Sequence, residues 1–229
     1  MVGNDVAAAV WRVLAAMTMA VAGMCFAAPI AVADDCPNVE VVFARGTFEP
    51  PGPGATGQAF IDALQTRLGG KTVVAAPVDY PASLDFPRAV DGVANASTQI
   101  RDIVNRCPDT RVVLGGYSQG AAVAAYTTAN AVPAGYVLPA DITGPMPPQT
   151  AQHVAAVVLF AKPTNGFLNM LDRTAPPIEI GPAYAAKTLE LCVPEDPVCS
   201  LTGGNHGAHG SYVSNGSIDQ AADFAASKV

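Results

Sequence analysis

Short apolar runs alternate along this chain with longer segments of helical spacing. Residues 39–44 (VEVVFA), 72–76 (TVVAA), 111–115 (RVVLG) and 154–160 (VAAVVLF) are brief, rich in β-branched residues and bounded by Pro, Gly or a cap-like polar residue. Strands covered on both faces read this way. Between them, residues 58–68 set Phe60, Ile61, Leu64 and Leu68 on one helical stripe. Residues 89–106 set Val93, Ile100 and Val104 on another, with Arg and Asp outside. The Ala-rich segment 119–130 follows the third run directly, residues 217–228 predict a terminal helix, and 187–192 (KTLELC) supply a fifth strand. Strand–helix alternation with short connections predicts an α/β three-layer sandwich, a central five-stranded parallel sheet with helices on both faces. Residues 50–57 and 131–149, rich in Pro and Gly, read as surface loops of one domain.

The first 33 residues stand apart. Arg12 precedes an apolar run from Val13 to Val32, which closes in Ala31-Val32-Ala33 before the acidic pair Asp34-Asp35. A positive charge, an apolar stretch and a small-x-small site predict a secretory signal peptide over residues 1–33, leaving 34–229 as the working domain. The run approaches the length of a bilayer span, but Pro29 and the A-x-A site favour cleavage over retention as an anchor. The expected location is therefore outside the cell or in its wall, with no stable membrane span after cleavage.

Composition narrows the function. The chain has 229 residues, half of them apolar and 14% charged, with a net charge of −7. That suits one globular domain. The negative charge argues against nucleic acid, since no basic surface would release counterions. Beyond residue 33 four cysteines remain, Cys36, Cys107, Cys192 and Cys199. An even count in an exported protein predicts two disulfides, with three pairings open. Metal binding is the rival reading, but there is no C-x-x-C and the histidines lie elsewhere, so no metal is expected.

The sharpest chemical pattern is Gly116-Tyr117-Ser118-Gln119-Gly120, where an apolar strand gives way to a small-residue helix. G-x-S-x-G at such a junction is a nucleophile elbow, with the serine exposed on a tight turn. The helix N-terminus adds positive potential for a developing oxyanion. A serine hydroxyl needs a base, and His153, His206 and His209 are available. His153 opens a predicted strand and reads as a surface or structural residue. His206 and His209 share a loop beyond every strand, as the order Ser…Asp…His requires. Candidate acids are Asp141, Asp172, Glu179, Glu190, Glu195 and Asp196. Asp196, between Pro194 and Pro197, sits in the most rigid turn, and Glu195 stays open beside it. Arg45, after the first strand, is expected to pair with a carboxylate.

These residues reach a known family. Ala44-Arg45-Gly46-Thr47, Cys107-Pro108-Asp109, Gly115 through Ala121, Asp196-Pro197-Val198-Cys199 and His209-Gly210-Ser211-Tyr212 occur in one order across the chain beyond residue 33. In this the chain resembles the cutinases, secreted serine esterases of the α/β-hydrolase superfamily. The resemblance implies Ser118, Asp196 and His209 as the catalytic set and Thr47 and Gln119 as oxyanion-hole donors. It also implies the pairings Cys36–Cys107 and Cys192–Cys199, no cofactor, and an ester or lipid substrate. We expect a monomer. Cutinases flank the serine with two apolar loops, and Leu84 and Phe86 in residues 81–88 are candidates for acyl contact. The other loop, residues 201–206 (LTGGNH), is polar and glycine-rich, which favours short- to medium-chain esters or acetylated sugars over cutin-like polyesters. Acyl transfer or thioester hydrolysis on the same three residues is the nearest alternative. A non-catalytic surface protein is the remaining one.

Overall fold

The computed structural model describes residues 36–132 and 144–229; the expected signal peptide and Asp141 lie outside them. Five strands, β1 (Val39–Ala44), β2 (Val73–Pro77), β3 (Arg111–Tyr117), β4 (Val154–Phe160) and β5 (Thr188–Leu191), form one parallel sheet in the order β2-β1-β3-β4-β5. The chain therefore winds outward from β1 to β2, returns past β1 to β3, and continues through β4 to β5. At the β1/β3 boundary the winding reverses, and the loops leaving the carboxyl ends of those two strands part to open a crevice.

Alternation along the strands builds a core on each side. Val42, Ala44, Leu114, Val157 and Leu159 face α2 (Ala89–Arg106) and α3 (Gln119–Thr127). Val41, Phe43, Val113, Val158 and Phe160 face α1 (Gly54–Leu68) and a C-terminal helix, Ser217–Ala226. Phe43, Phe60 and Phe160 meet there with ring centroids 6.0–6.3 Å apart. Because β1, β3 and β4 are covered on both faces, they carry no polar alternation, and this made them legible as runs.

Several boundaries differ from expectation. α1 starts at Gly54 inside the predicted loop 50–57, because the Glu49 carboxylate accepts the Ala55 N–H at 2.7 Å and caps the first turn from outside the helix. A helix, α4 (Pro148–His153), starts within the predicted loop 131–149, with proline in its first turn. Three further short helices were not anticipated: α5 (Asn165–Leu171), α6 (Pro182–Ala185) and α7 (His206–His209). The C-terminal helix is α8. The disulfides pair Cys36 with Cys107 (S–S 1.99 Å) and Cys192 with Cys199 (2.09 Å). Among the described residues no helix is long and apolar enough to cross a membrane.

Candidate active site

Ser118 stands between β3 and α3 with φ 57° and ψ −119°, backbone that a non-glycine residue adopts only when its surroundings enforce it. Two glycines enforce it by permitting contact. A Cβ on Gly116 would fall 2.1 Å from the Gly120 carbonyl oxygen, and one on Gly120 would fall 2.0 Å from that of Ala44. The Ser118 N–H donates to Phe160 O at 2.9 Å, tying the turn to β4. Gln119 is the first residue of α3, so its N–H has no intrahelical acceptor.

The other two residues arrive on loops beyond β5. Asn205 caps α7, its Oδ1 accepting the Gly207 N–H at 2.9 Å, and α7 carries His209 in its single turn. His209 Nε2 lies 2.9 Å from Ser118 Oγ, and Nδ1 lies 3.0 and 2.9 Å from the two carboxylate oxygens of Asp196. Asp196 is completely buried in the loop closed by Cys192–Cys199. Its Oδ1 also accepts the Val198 N–H (2.9 Å) and its Oδ2 the Tyr212 hydroxyl (2.8 Å), so the buried carboxylate is fully hydrogen-bonded. An acceptor-only carboxylate fixes the proton on Nδ1 and leaves Nε2 free to take one from Oγ.

Thr47 sits on the loop after β1 and lines the same cleft as Ser118 and Gln119. Among the described residues no acceptor takes its N–H. The loop is locked from below. Arg45 is buried, but it does not pair with a carboxylate as expected. Its guanidinium donates to the backbone carbonyls of Glu49 (2.8 Å), Val78 (3.3 Å) and Tyr80 (2.5 Å), while Glu49 accepts the N–H of Gly46 (2.6 Å). Three carbonyls converging on one point need a planar donor fork, which explains the arginine.

Of the remaining candidates, His153 ends α4 at the amino edge of β4, across the sheet from Ser118. His206 opens α7, is exposed, and reaches only the cleft wall. Glu195 and Glu179 are exposed, and Glu190 pairs with Lys162 at 3.2 Å.

A cutinase family model matches residues 35–229. The chain belongs to the cutinase family. It is 49% identical over 177 residues to the protein named probable carboxylesterase Culp5 of Mycobacterium tuberculosis, covering 77% of this chain and 99% of that one. It is 43% identical over 218 residues to carboxylesterase Culp1 of the same organism, covering 95% and 93%. Among solved structures it is similar to a Trichoderma reesei cutinase in complex with a phosphonate inhibitor, at 34% identity and TM-score 0.60, covering 83% of this chain and 75% of that one. The chain is a carboxylic ester hydrolase.

As a cutinase it has an open cleft of about 520 Å³ above Ser118. Leu84 and Phe86 line one side. The opposite wall is not the predicted 201–206 loop, which contributes only His206. It is α5 and the turn after it, through Phe167, Leu168, Leu171, Ala175 and Pro176. Thr164 starts that helix, its Oγ1 accepting the Phe167 N–H at 3.1 Å just beyond β4, so the helix projects from the carboxyl edge beside Ser118. Sequence reasoning named Tyr117 and Tyr212 only as parts of motifs and missed their contacts with the histidine and Asp196. Tyr117 donates to His209 O at 2.6 Å and stacks on its imidazole, centroids 5.0 Å apart. Burial raises the Tyr117 and Tyr212 phenols well above their ordinary range. Two polar aromatics beside the motif, each needing a hydrogen-bond partner once buried, were the available signal.

Proposed function

We propose that this cutinase is a secreted serine esterase acting on short- to medium-chain acyl esters through an acyl-enzyme. The hydrogen-bonded line Ser118–His209–Asp196 on the floor of an apolar-walled cleft carries the reading. As Ser118 Oγ attacks the ester carbonyl, His209 Nε2 takes its proton, and Asp196 stabilises the imidazolium. The new oxyanion accepts hydrogen bonds from the N–H groups of Thr47 and Gln119. Collapse of the tetrahedral adduct breaks the ester C–O bond, and His209 returns its proton to the departing alcohol. Water then adds to the acyl-Ser118 carbonyl with His209 as base, releasing the carboxylic acid and restoring the serine. The acyl chain lies between Leu84 and Phe86 on one side and the α5 leucines on the other, where each methylene is worth about 1–3 kcal/mol of discrimination.

An alkyl phosphonate that leaves its adduct on Ser118, located by mass spectrometry, tests the nucleophile. Ser118→Ala removes nitrophenyl-ester hydrolysis and His206→Ala leaves most of it. An adduct elsewhere, or an active Ser118→Ala, overturns the assignment. Amino-terminal sequencing of protein from culture medium, expected to begin at Asp34, tests export.

A further inference from the structure

We propose that Tyr212 is a positioning residue for ester hydrolysis, its hydroxyl holding Asp196 in register with His209 from behind. The inference rests on the serine-esterase reading above. Tyr212 is 1% exposed, and its ring is fixed edge-on to Phe160 and Tyr117 at 6.2 and 5.9 Å. Its single hydroxyl proton has one strong acceptor, Asp196 Oδ2 at 2.8 Å, because the hydroxyl oxygen itself accepts the Val193 N–H at 3.1 Å. Cys199 Sγ lies 3.3 Å from the same oxygen. One hydroxyl thus meets the start, middle and end of the disulfide-closed loop that carries the acid. Tyr212 also follows α7 directly, three residues beyond His209, so the same contact links the loop of the acid to the helix of the base.

The chemical consequence concerns how the negative charge is shared. His209 Nδ1 is almost equidistant from the two Asp196 oxygens, and each oxygen has one further donor, Val198 N–H on Oδ1 and Tyr212 on Oδ2. Removing the hydroxyl leaves Oδ2 with no donor besides the imidazole. The carboxylate then becomes more basic, free to turn about its last torsion, and a stronger stabiliser of the imidazolium. His209 stays protonated to higher pH while the line from Asp196 to Ser118 loosens.

Tyr212→Phe tests this, since phenylalanine retains the ring packing. The expected result is a fall in kcat of about ten-fold, the size of one hydrogen bond to a charged group, with KM little changed. The rate is normalised to sites titrated by the phosphonate. The acid limb of the kcat/KM profile moves to higher pH. The other titratable groups around the pair are Tyr117 on β3, Glu49 after β1, Asp172 at the end of α5, and Glu195 and His206 beside the acid and the base. None of them is altered by the substitution, so a moved limb reports on Asp196. In an Asp196→Asn background the same change costs little more. An unchanged kcat, a fall in kcat with an unmoved acid limb, or full additivity with Asp196→Asn each overturns the proposal. In the unsubstituted enzyme the Tyr212 hydroxyl proton exchanges slowly and shows a nuclear Overhauser contact to His209 Nδ1–H. Fast exchange overturns the proposal even if the variant fails to fold. An active Ser118→Ala instead sinks the serine-esterase reading, which separates the two failures.

Discussion

The floor and the rim of the cleft are built on opposite principles. On the floor Asp196 is fully buried, and its oxygens meet the imidazole, a backbone N–H and a phenol. On the rim Phe48 and Leu84 are 73% and 63% exposed, and Leu171 also faces solvent. A satisfied buried network has one geometry, so it serves chemistry that tolerates little displacement. Exposed apolar side chains retain rotamer freedom and grade their affinity with contact area, which suits chains of varying length. The floor should therefore respond to substitution in rate and the rim in substrate preference.

The sharpest break is expected at Gly120. Its Cβ would strike the Ala44 carbonyl at 2.0 Å, and backbone on both sides leaves no flexible end to yield. Gly120→Ala must separate β1 from α3, moving Thr47 away from Ser118. A displacement near 1 Å costs about 100-fold in turnover, read as kcat against a nitrophenyl butyrate standard. A fully active Gly120→Ala would mean that the floor is softer than its packing implies.

Next is Arg45, remote from substrate yet beneath the loop of Thr47. Arg45→Met leaves three carbonyls that lose a charged donor, and a buried acceptor without a partner costs about 1–3 kcal/mol. An unfolding free energy in urea lowered by at least one such loss is expected, with a reduced kcat and little change in KM. Loss of stability without loss of kcat would separate the arginine from the loop of Thr47.

The same contrast explains what the sequence could disclose. Buried strands are legible because burial on both faces leaves a nearly continuous apolar run, broken inside β1 by Glu40, and the elbow because two glycines and a serine stand at fixed spacing between a strand and a helix. α5 is seven residues long and α7 four, too short for a helical period to emerge, so residues 201–206 read as the second flanking loop, polar where the folded wall, carried by α5, is apolar. Tyr212 and Asp196 are sixteen residues apart, and only the folded disulfide loop brings hydroxyl to carboxylate. Arg45 was expected to meet a carboxylate because charge was visible in the sequence and converging carbonyls were not.

On the rim, a paired Leu84→Ser and Leu171→Ser exchange is expected to cut kcat/KM for decanoyl esters about ten-fold and leave acetyl esters nearly unchanged. An equal loss on both esters would show that the rim positions the floor as well as the substrate.

The smallest effect should come from Phe48, and its two parts have opposite signs. Phe48 has φ 66°, in the left-handed region, and most of its ring is in water. Glycine there relieves about 1–2 kcal/mol of backbone strain. It gives back about 0.5–1 kcal/mol through the greater entropy of the unfolded chain. Phe48→Gly should therefore raise the melting temperature slightly. The Phe48 N–H donates to Ala82 O at 2.7 Å whichever side chain is present, so the loop of Thr47 stays tied to the loop of Leu84. Acetyl-ester turnover is then unchanged, and only longer chains, which lose the ring as a contact, bind less well. A lower melting temperature would mean that the exposed ring contributes more by its contacts than it costs in strain. A fall in acetyl-ester kcat would place Phe48 with the floor, because Thr47 is its immediate neighbour.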